Sequence, residues 1–411
     1  MATTTSGSTG PLAGLHILDL STYVAGPSAT MTLAQLGADV VRIDPIGGAP
    51  DVRRLPLAPD GSSLYWAGLN KGKRSVEVDL RGEAGRDVVR SLLRAGGEGH
   101  GILLTNAVGQ PWLDYQQLRT HRPDLIMVHI GGQPDGKPAV DYTVNCEVGL
   151  PWLTGPADST APVNHVLPAW DLLTGLHAAL SVLVADRARR HTGEGQFIRI
   201  NLAEVALATM GHLGFVADVA VNGGGRRRDG NHLYGSYGCD FATADGRRVM
   251  VVALTSRHWQ SLIELTGRRE VVAALAEAMG VDFGREETRY QHREVITALL
   301  APWFAERNHR DVVAALDRGQ VLWGDYRTVA ELVDAPDGLL ARSGLFTQVR
   351  QSGAGTFPVP RPVSRAEGWG DDTTLLAPAV GADTDVVLQQ WLGHDLDTVR
   401  ALRASGIVGG R

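Results

Sequence analysis

Cysteine is almost missing from this sequence. Two residues in 411, Cys146 and Cys239, form no C-x-x-C pair, so neither a disulfide framework nor a thiolate zinc site is on offer. A reducing cytoplasm is the compartment expected. A surplus of either charge is missing too. With 39 basic and 45 acidic side chains the formal net charge is −6, spread along the chain, which gives no reason to expect nucleic acid or an anionic membrane as partner. No run approaches the ~20 apolar residues of a spanning helix. The opening "MATTTSGSTGPLAG" has no basic start and no apolar centre, so residues 1–14 read as a disordered tail rather than a signal peptide. The familiar catalytic signatures G-x-S-x-G, Walker A, H-E-x-x-H and G-x-G-x-x-G do not occur. The histidines are scattered without ligand spacing, and no metal is expected.

Glycine, by contrast, is plentiful at 50 residues, and implies many tight turns and close backbone approaches. The balance of 44 % hydrophobic and 20 % charged residues is that of a globular enzyme, and the length asks for two domains. "LHILDL" (15–20) reads as a buried strand, "AGPSATMTLAQLGA" as a turn and helix with Gly37 at its stop, and "DVVRID" (39–44) as the next strand. Further strands fall at 74–80, 101–106, 125–130 and 197–202, with helices between them. The pattern is α/β, a parallel sheet with crossover helices. A long helix then leads to "NGGGRRRDGN" (222–231), a Gly- and Arg-rich linker. Beyond it lies a hairpin turning at Asp245-Gly246, followed by several helices. The expected organisation is a large domain with its linker helix at 15–222, a small α+β domain at 223–335, and a C-terminal return to the large domain at 336–411.

One carboxylate stands out. In "NHVLPAWDLLTGLHAAL" (164–180), Asp171 sits at the mouth of an apolar helical run. Aspartate is a good N-cap, and a helix N-terminus favours its ionised form. His165 and His177 flank it and read as solvated or core residues. Among cations, "NKGKRS" places Lys71, Lys73 and Arg74 in a loop before a strand. The helix start at Val24 and Ala25 offers free N–H groups, and Asn106 ends a strand. All suit an anionic ligand such as a phosphate, although a solvated basic turn explains the loop equally well.

"LDLSTYVAGPSATMTLAQLGADVVRID", "LNKGKRSVEVDL", "DLLTGLHAALSVLVADRARRHTGEGQFIRINL" and "WGDYRTVAEL" occur in that order. Together they resemble the class III CoA-transferases, a family that includes formyl-CoA and carnitine CoA-transferases and α-methylacyl-CoA racemases. The resemblance implies a large Rossmann-like domain built from both chain ends, a small domain between, and an interlocked homodimer. It implies an acyl-CoA substrate, with coenzyme A entering as part of that substrate and nothing bound permanently. It also implies that Asp171, in the D-x-x-x-G position, is the nucleophile. Val24, Ala25, Lys71, Lys73, Arg74 and Asn106 are then the CoA-binding candidates, and Asp141, Tyr142, Trp170 and Tyr234 line the acyl pocket. "GNHLYGSYG" (230–238) lies where some members carry a mobile glycine loop. Racemases of the family use a histidine where this chain has Val140, and valine moves no proton. "DYTVN", "VNHVLPAWD" and "MGHLGF" resemble a branch that moves CoA between the two carboxyls of one unsaturated C5 dicarboxylate. Arg42, Arg74 and Arg327 are candidates for its free carboxylate. Intermolecular transfer to a free dicarboxylic acid and a CoA-ester binding protein without turnover are the alternatives.

Overall fold

The computed structural model describes residues 10–367, 369 and 375–410. Of the expected tail, residues 1–9 lie outside the described residues. Residues 10–14 are not a free tail, since the Leu12 N–H donates to the Leu36 carbonyl at 3.0 Å. In chain order the first elements are β1 (His16–Leu20), α1 (Ala25–Gln35), β2 (Asp39–Pro45), α2 (Leu64–Leu69), β3 (Arg74–Val78), α3 (Glu83–Arg94) and β4 (Ile102–Thr105). They are followed by α4 (Tyr115–His121), β5 (Ile126–Gly131), α5 (Asp141–Glu147), α6 (Ala169–Thr192), β6 (Gln196–Asn201), α7 (Leu202–His212) and α8 (Phe215–Asn222). The segment expected to be one long helix after β6 is therefore two, bent by 59°, because Gly214 takes φ +78° and ends the first.

The chain divides into two compact units, residues 1–148, 166–217 and 340–411, and residues 149–165 and 218–339. The first unit is built on six strands in the order β3-β2-β1-β4-β5-β6, all parallel. Such a sheet needs both faces covered, which is why β1, β2 and β4 are nearly continuous apolar runs: Ile17, Val40, Val41, Leu103 and Leu104 are inaccessible to water. Burying each side chain of this size contributes ~1.5–3 kcal/mol. Strand order reverses between β1 and β4, and in open parallel sheets that crevice, at the carboxyl ends of the strands, is where ligands bind.

Two glycines bring helices into the crevice. A Cβ on Gly26, in α1, would lie 2.2 Å from the Ser21 hydroxyl. A Cβ on Gly175, in α6, would lie 2.3 Å from the Ser28 hydroxyl and 2.8 Å from the Ala25 carbonyl. Only a residue without a side chain lets α6 lie against the first turn of α1. By length and hydropathy α6 could cross a bilayer, contrary to the sequence expectation. One of its faces is core, with Ala178 and Val182 inaccessible to water, while Leu176, Leu180 and Val184 are more than half exposed on another.

The second unit holds β7 (Tyr237–Ala242), β8 (Arg248–Ala253), α9 (Ser256–Leu265), α10 (Arg269–Met279), α11 (Glu286–Gln291), α12 (Arg293–Ala305), α13 (His309–Arg318), β9 (Leu322–Asp325) and α14 (Val329–Asp334). The expected β7–β8 hairpin forms, and β9, which reads as a turn in the sequence, pairs antiparallel with β8. Tyr237, Phe241, Trp259, Leu300, Phe304 and Leu316 pack within this unit. "NGGGRRRDGN" is more than a linker. Arg228 donates to the carbonyls of Pro151, Trp152, Ser159 and Ala161, which ties residues 149–165 to this unit rather than to the large domain expected to hold them.

After α15 (Leu339–Arg342) the chain returns to the first unit through a hairpin of β10 (Phe346–Gln351) and β11 (Gly355–Pro360), then α16 (Thr384–Leu392) and α17 (Leu396–Ala404). Val387, Leu388 and Val399 join the core beside β3.

Candidate active site

At the crevice, the end of β1 rests on a buried ionic floor. Asp19 accepts from Lys73 Nζ at 2.9 Å and from Thr30 Oγ1 at 2.6 Å. Burial pushes its carboxyl up, but Lys73 and Arg42 hold it below the usual carboxylate range. Lys73 also donates to the Pro27 carbonyl at 3.0 Å and to Asn70 Oδ1 at 2.8 Å. All three ammonium hydrogens are therefore committed to the protein. Arg42 is equally engaged: it reaches Asp44, Asp51 and Asn70 at 3.0–3.3 Å and lies 4.3 Å over the Trp66 ring. Arg74 pairs with Asp39 and Gln390. Lys71 differs. It is 4 % exposed, no hydrogen bond to it is found among the described residues, and burial alone pushes its ammonium down to about 8. Adjacent cations of one loop thus divide, with Lys73 and Arg74 holding the fold and Lys71 left with its charge unmatched.

Val24 and Ala25 are buried where α1 begins. Asn106 accepts from the Thr22 N–H at 3.1 Å and donates to the Thr22 carbonyl at 3.0 Å. Its amide therefore stitches β1 to β4 across the switch point. Tyr23, next in the chain, is one of two non-glycine residues with positive φ among the described residues, at +71°, a conformation maintained by the hydrogen bonds of the Thr22 and Tyr23 N–H groups to Asn106 and Asp51.

Asp171 is the third residue of α6, one turn before Gly175 on the same face. It is not the cap of its own helix. The residue preceding α6 is Pro168, which makes no side-chain cap, and the orphan N–H groups of Trp170 and Asp171 donate instead to Asp141 Oδ2 at 2.7 and 3.1 Å. The cap is supplied from α5, whose Asn145 also accepts from the Trp170 indole at 3.2 Å. The Asp171 carboxylate is thereby left free. Its pKa moves opposite to the helix-terminus expectation: burial, then the neighbouring Asp141 charge, push it up to about 7, with Arg54 opposing.

Two groups the sequence did not single out, Tyr65 and Arg54, are coupled electrostatically to Asp171. Burial raises the Tyr65 phenol, Arg54 opposes, and the charges of Asp171, Tyr142 and Asp51 add to the rise. These groups therefore share one electrostatic neighbourhood. The Arg54 guanidinium lies 5.3 Å from the Tyr23 ring centre and 4.8 Å from that of Tyr65. The Tyr142 hydroxyl donates to the Val166 carbonyl at 3.2 Å. A carboxylate with a pKa near neutrality, in a largely buried position at a sheet crevice, is suited to nucleophilic attack on an acyl carbon.

A family model for CoA-transferase family III matches residues 12–384. The chain belongs to that family. Over 402 residues it is 44 % identical to 2-methylfumaryl-CoA isomerase of Chloroflexus aurantiacus, a match covering 98 % of each chain. It is 28 % identical to succinyl-CoA:mesaconate CoA-transferase of Haloarcula marismortui, over 91 % of this chain and 98 % of that one. A CAIB/BAIF family protein from Brucella suis, 24 % identical, superposes with a TM-score of 0.75 over 93 % of this chain and 99 % of that one, which shows a shared fold.

As a family III CoA-transferase the chain is an enzyme, and its substrates are CoA thioesters. Among the residues expected at the site, the first unit gathers Asp141, Tyr142, Trp170 and Asp171 at the junction of α5 and α6. Trp170 is buried and joins the two helices. Tyr234 belongs to the second unit, where its ring lies 3.6 Å from the Arg226 guanidinium and 5.1 Å from the Tyr290 ring. Val140 immediately precedes α5, with its side chain exposed. Arg327, in the second unit, pairs with Asp325 at 2.7 Å.

Proposed function

We propose that this enzyme moves CoA between the C1 and C4 carboxyls of mesaconyl-CoA (2-methylfumaryl-CoA) within a single bound acyl group. The observation that carries the chemistry is Asp171: a carboxylate released from capping by Asp141, with a pKa of about 7. The 44 % identity to an enzyme with that isomerase name supports the choice of acyl group.

In the first step the Asp171 carboxylate attacks the C1 thioester carbonyl. The C–S bond breaks, and a mixed anhydride and CoA thiolate result. The thiolate then attacks the aspartyl carbonyl of the anhydride, giving an aspartyl-CoA thioester and free mesaconate. The C4 carboxylate of the same mesaconate attacks that thioester and releases the thiolate again. Attack of the thiolate on the C4 acyl carbon gives the C4 ester and restores Asp171. No proton is gained or lost, and every intermediate keeps an activated acyl group. Holding the released acid in place makes the third step effectively unimolecular, a gain that reaches ~7–11 kcal/mol in well-oriented systems. The Lys71 ammonium is suited to a CoA phosphate, and the backbone N–H groups at Val24 and Ala25 to the same anion.

The enzyme acts in the cytoplasm as a homodimer in this reading. The exposed Leu176, Leu180 and Val184 stripe on α6 supports a partner chain, because an apolar face of this kind is disfavoured in water. The experiment is to incubate mesaconyl-C1-CoA alone and then with isotopically labelled free mesaconate. Conversion to the C4 ester without label entering the ester pool is the expected result. Label entering as fast as isomerisation proceeds would mean intermolecular transfer, the reaction named for the Haloarcula relative. No reaction without added acid would refute the isomerase reading.

A further inference from the structure

Every arginine that sequence reading nominated for the free carboxylate is committed elsewhere: Arg42 to Asp44 and Asp51, Arg74 to Asp39, Arg327 to Asp325. Arg54 is different. Its backbone is fixed, since its N–H donates to the Asp51 carbonyl at 3.2 Å and its carbonyl accepts from Ser63 Oγ at 2.6 Å. Its guanidinium lies against two rings, 5.3 Å from Tyr23 and 4.8 Å from Tyr65. Among the described residues no carboxylate or carbonyl accepts from it. Ring contacts of this kind hold the planar group by its faces and leave the N–H donors at its edge available for bidentate pairing with a carboxylate. The backbones that carry the rings are fixed, Tyr23 by its N–H on Asp51 at 3.1 Å and Tyr65 in the first turn of α2. Tyr23 stands two residues before Ala25, whose carbonyl α6 meets at Gly175, one turn from Asp171, and the Arg54 charge opposes the rise of the Asp171 carboxyl.

We propose that Arg54, clamped between Tyr23 and Tyr65, is the specificity-determining residue that receives the free carboxylate of the dicarboxylyl-CoA substrate. This rests on the isomerase reading and names the group that makes it selective for a diacid. In the C1 ester Arg54 holds the C4 carboxylate, and in the C4 ester it holds the C1 carboxylate. One receptor therefore serves both ends of the reaction. A monocarboxylic acyl group leaves the guanidinium without a counterion and is bound less well.

The test is calorimetric binding in an Asp171→Asn background, where the ester does not turn over. Two ligands are compared, mesaconyl-C1-CoA and the same ester with its C4 carboxyl capped as a methyl ester. Arg54→Met should weaken the free-acid ligand about ten- to a hundredfold, the reach of a charge-assisted bond, and leave the capped ligand unchanged. Arg54→Lys should restore part of the loss. An equal loss for both ligands would mean that Arg54 grips the CoA phosphates or merely supports the two tyrosines. No loss for either would remove it from the site. Both outcomes overturn the proposal. Isomerisation by the enzyme with Arg54 and Asp171 intact is assayed separately, so failure of the isomerase reading is distinguishable from failure of Arg54 as the receptor.

Discussion

Replacing Asp171 with Asn removes a carboxyl that titrates at about 7 in the folded chain against an ordinary value of 3.8. The folded value is the higher one, so the native state binds this proton more tightly than the unfolded state. Its contribution to stability is fully present below ~4 and is lost as pH rises through about 7. Above that, the native chain carries an ionised carboxylate that burial and Asp141 both disfavour. A shift of about three units at 1.36 kcal/mol each sets a ceiling of ~4 kcal/mol. Partial contact with solvent reduces this to roughly 2 kcal/mol, of which ~1–2 kcal/mol falls between pH 5 and 8. Asparagine cannot ionise. Urea midpoints of parent and variant, at one protein concentration, should therefore diverge in favour of the variant as pH is raised from 5 to 8. The variant should also lose turnover, because an amide attacks a thioester poorly. A stability gap that is the same at both pH values, or that closes toward pH 8, would refute the placement of the Asp171 carboxylate. Retained turnover, with deamidation excluded by mass spectrometry, would refute the covalent route.

Asp141→Asn keeps an oxygen for the Trp170 and Asp171 N–H groups but deletes the charge beside the nucleophile, so, with Asp171 attacking as proposed, the rising limb of the rate–pH profile should move to lower pH; an unmoved limb would mean that Asp141 is not what raises Asp171. Asp141→Ala removes the cap as well and should cost ~1–2 kcal/mol in urea unfolding. Lys71→Ala and Lys73→Ala should behave oppositely. The first weakens CoA binding in calorimetry with little change in stability. The second leaves Asp19 buried and unpaired, which costs ~3–5 kcal/mol. Unchanged CoA affinity in Lys71→Ala would return that residue to a structural role.

The inner strands of the large sheet are legible in the sequence because both of their faces are buried. An unbroken run such as "LHILDL" has no other stable place. Asp171 drew attention through its place in D-x-x-x-G, and Gly175 supplies a physical reason for that spacing: it lets the first turn of α6 meet α1. The cap was not legible, because the Asp141 that accepts from Asp171 stands 30 residues upstream on another helix. Lys71 and Lys73 look interchangeable as letters. Only the fold decides that Lys73 meets Asp19 while Lys71 meets no hydrogen-bond partner among the described residues. Arg54 was invisible for a related reason. It is one arginine in "DVRRLP", and what distinguishes it is a pair of rings brought to it by the loop after β1 and by α2.

The return of the chain to β3 has a consequence for the order of folding. The outer edge of that strand is completed by distant residues. Ser75 N–H donates to Asp383, 308 positions on, Gly381 N–H donates to the Ser75 hydroxyl, and the Gly409 N–H donates to the Glu77 carbonyl. During synthesis β1 to β6 leave the ribosome long before those partners exist. The second unit is almost continuous, at 149–165 and 218–339, and can close its core while the edge of the first sheet is still open. Contacts of such long sequence separation are slow to form, and an unpaired strand edge invites pairing with other chains meanwhile. The edge of β3 is therefore the part of the first sheet that stays open longest while the chain is being made.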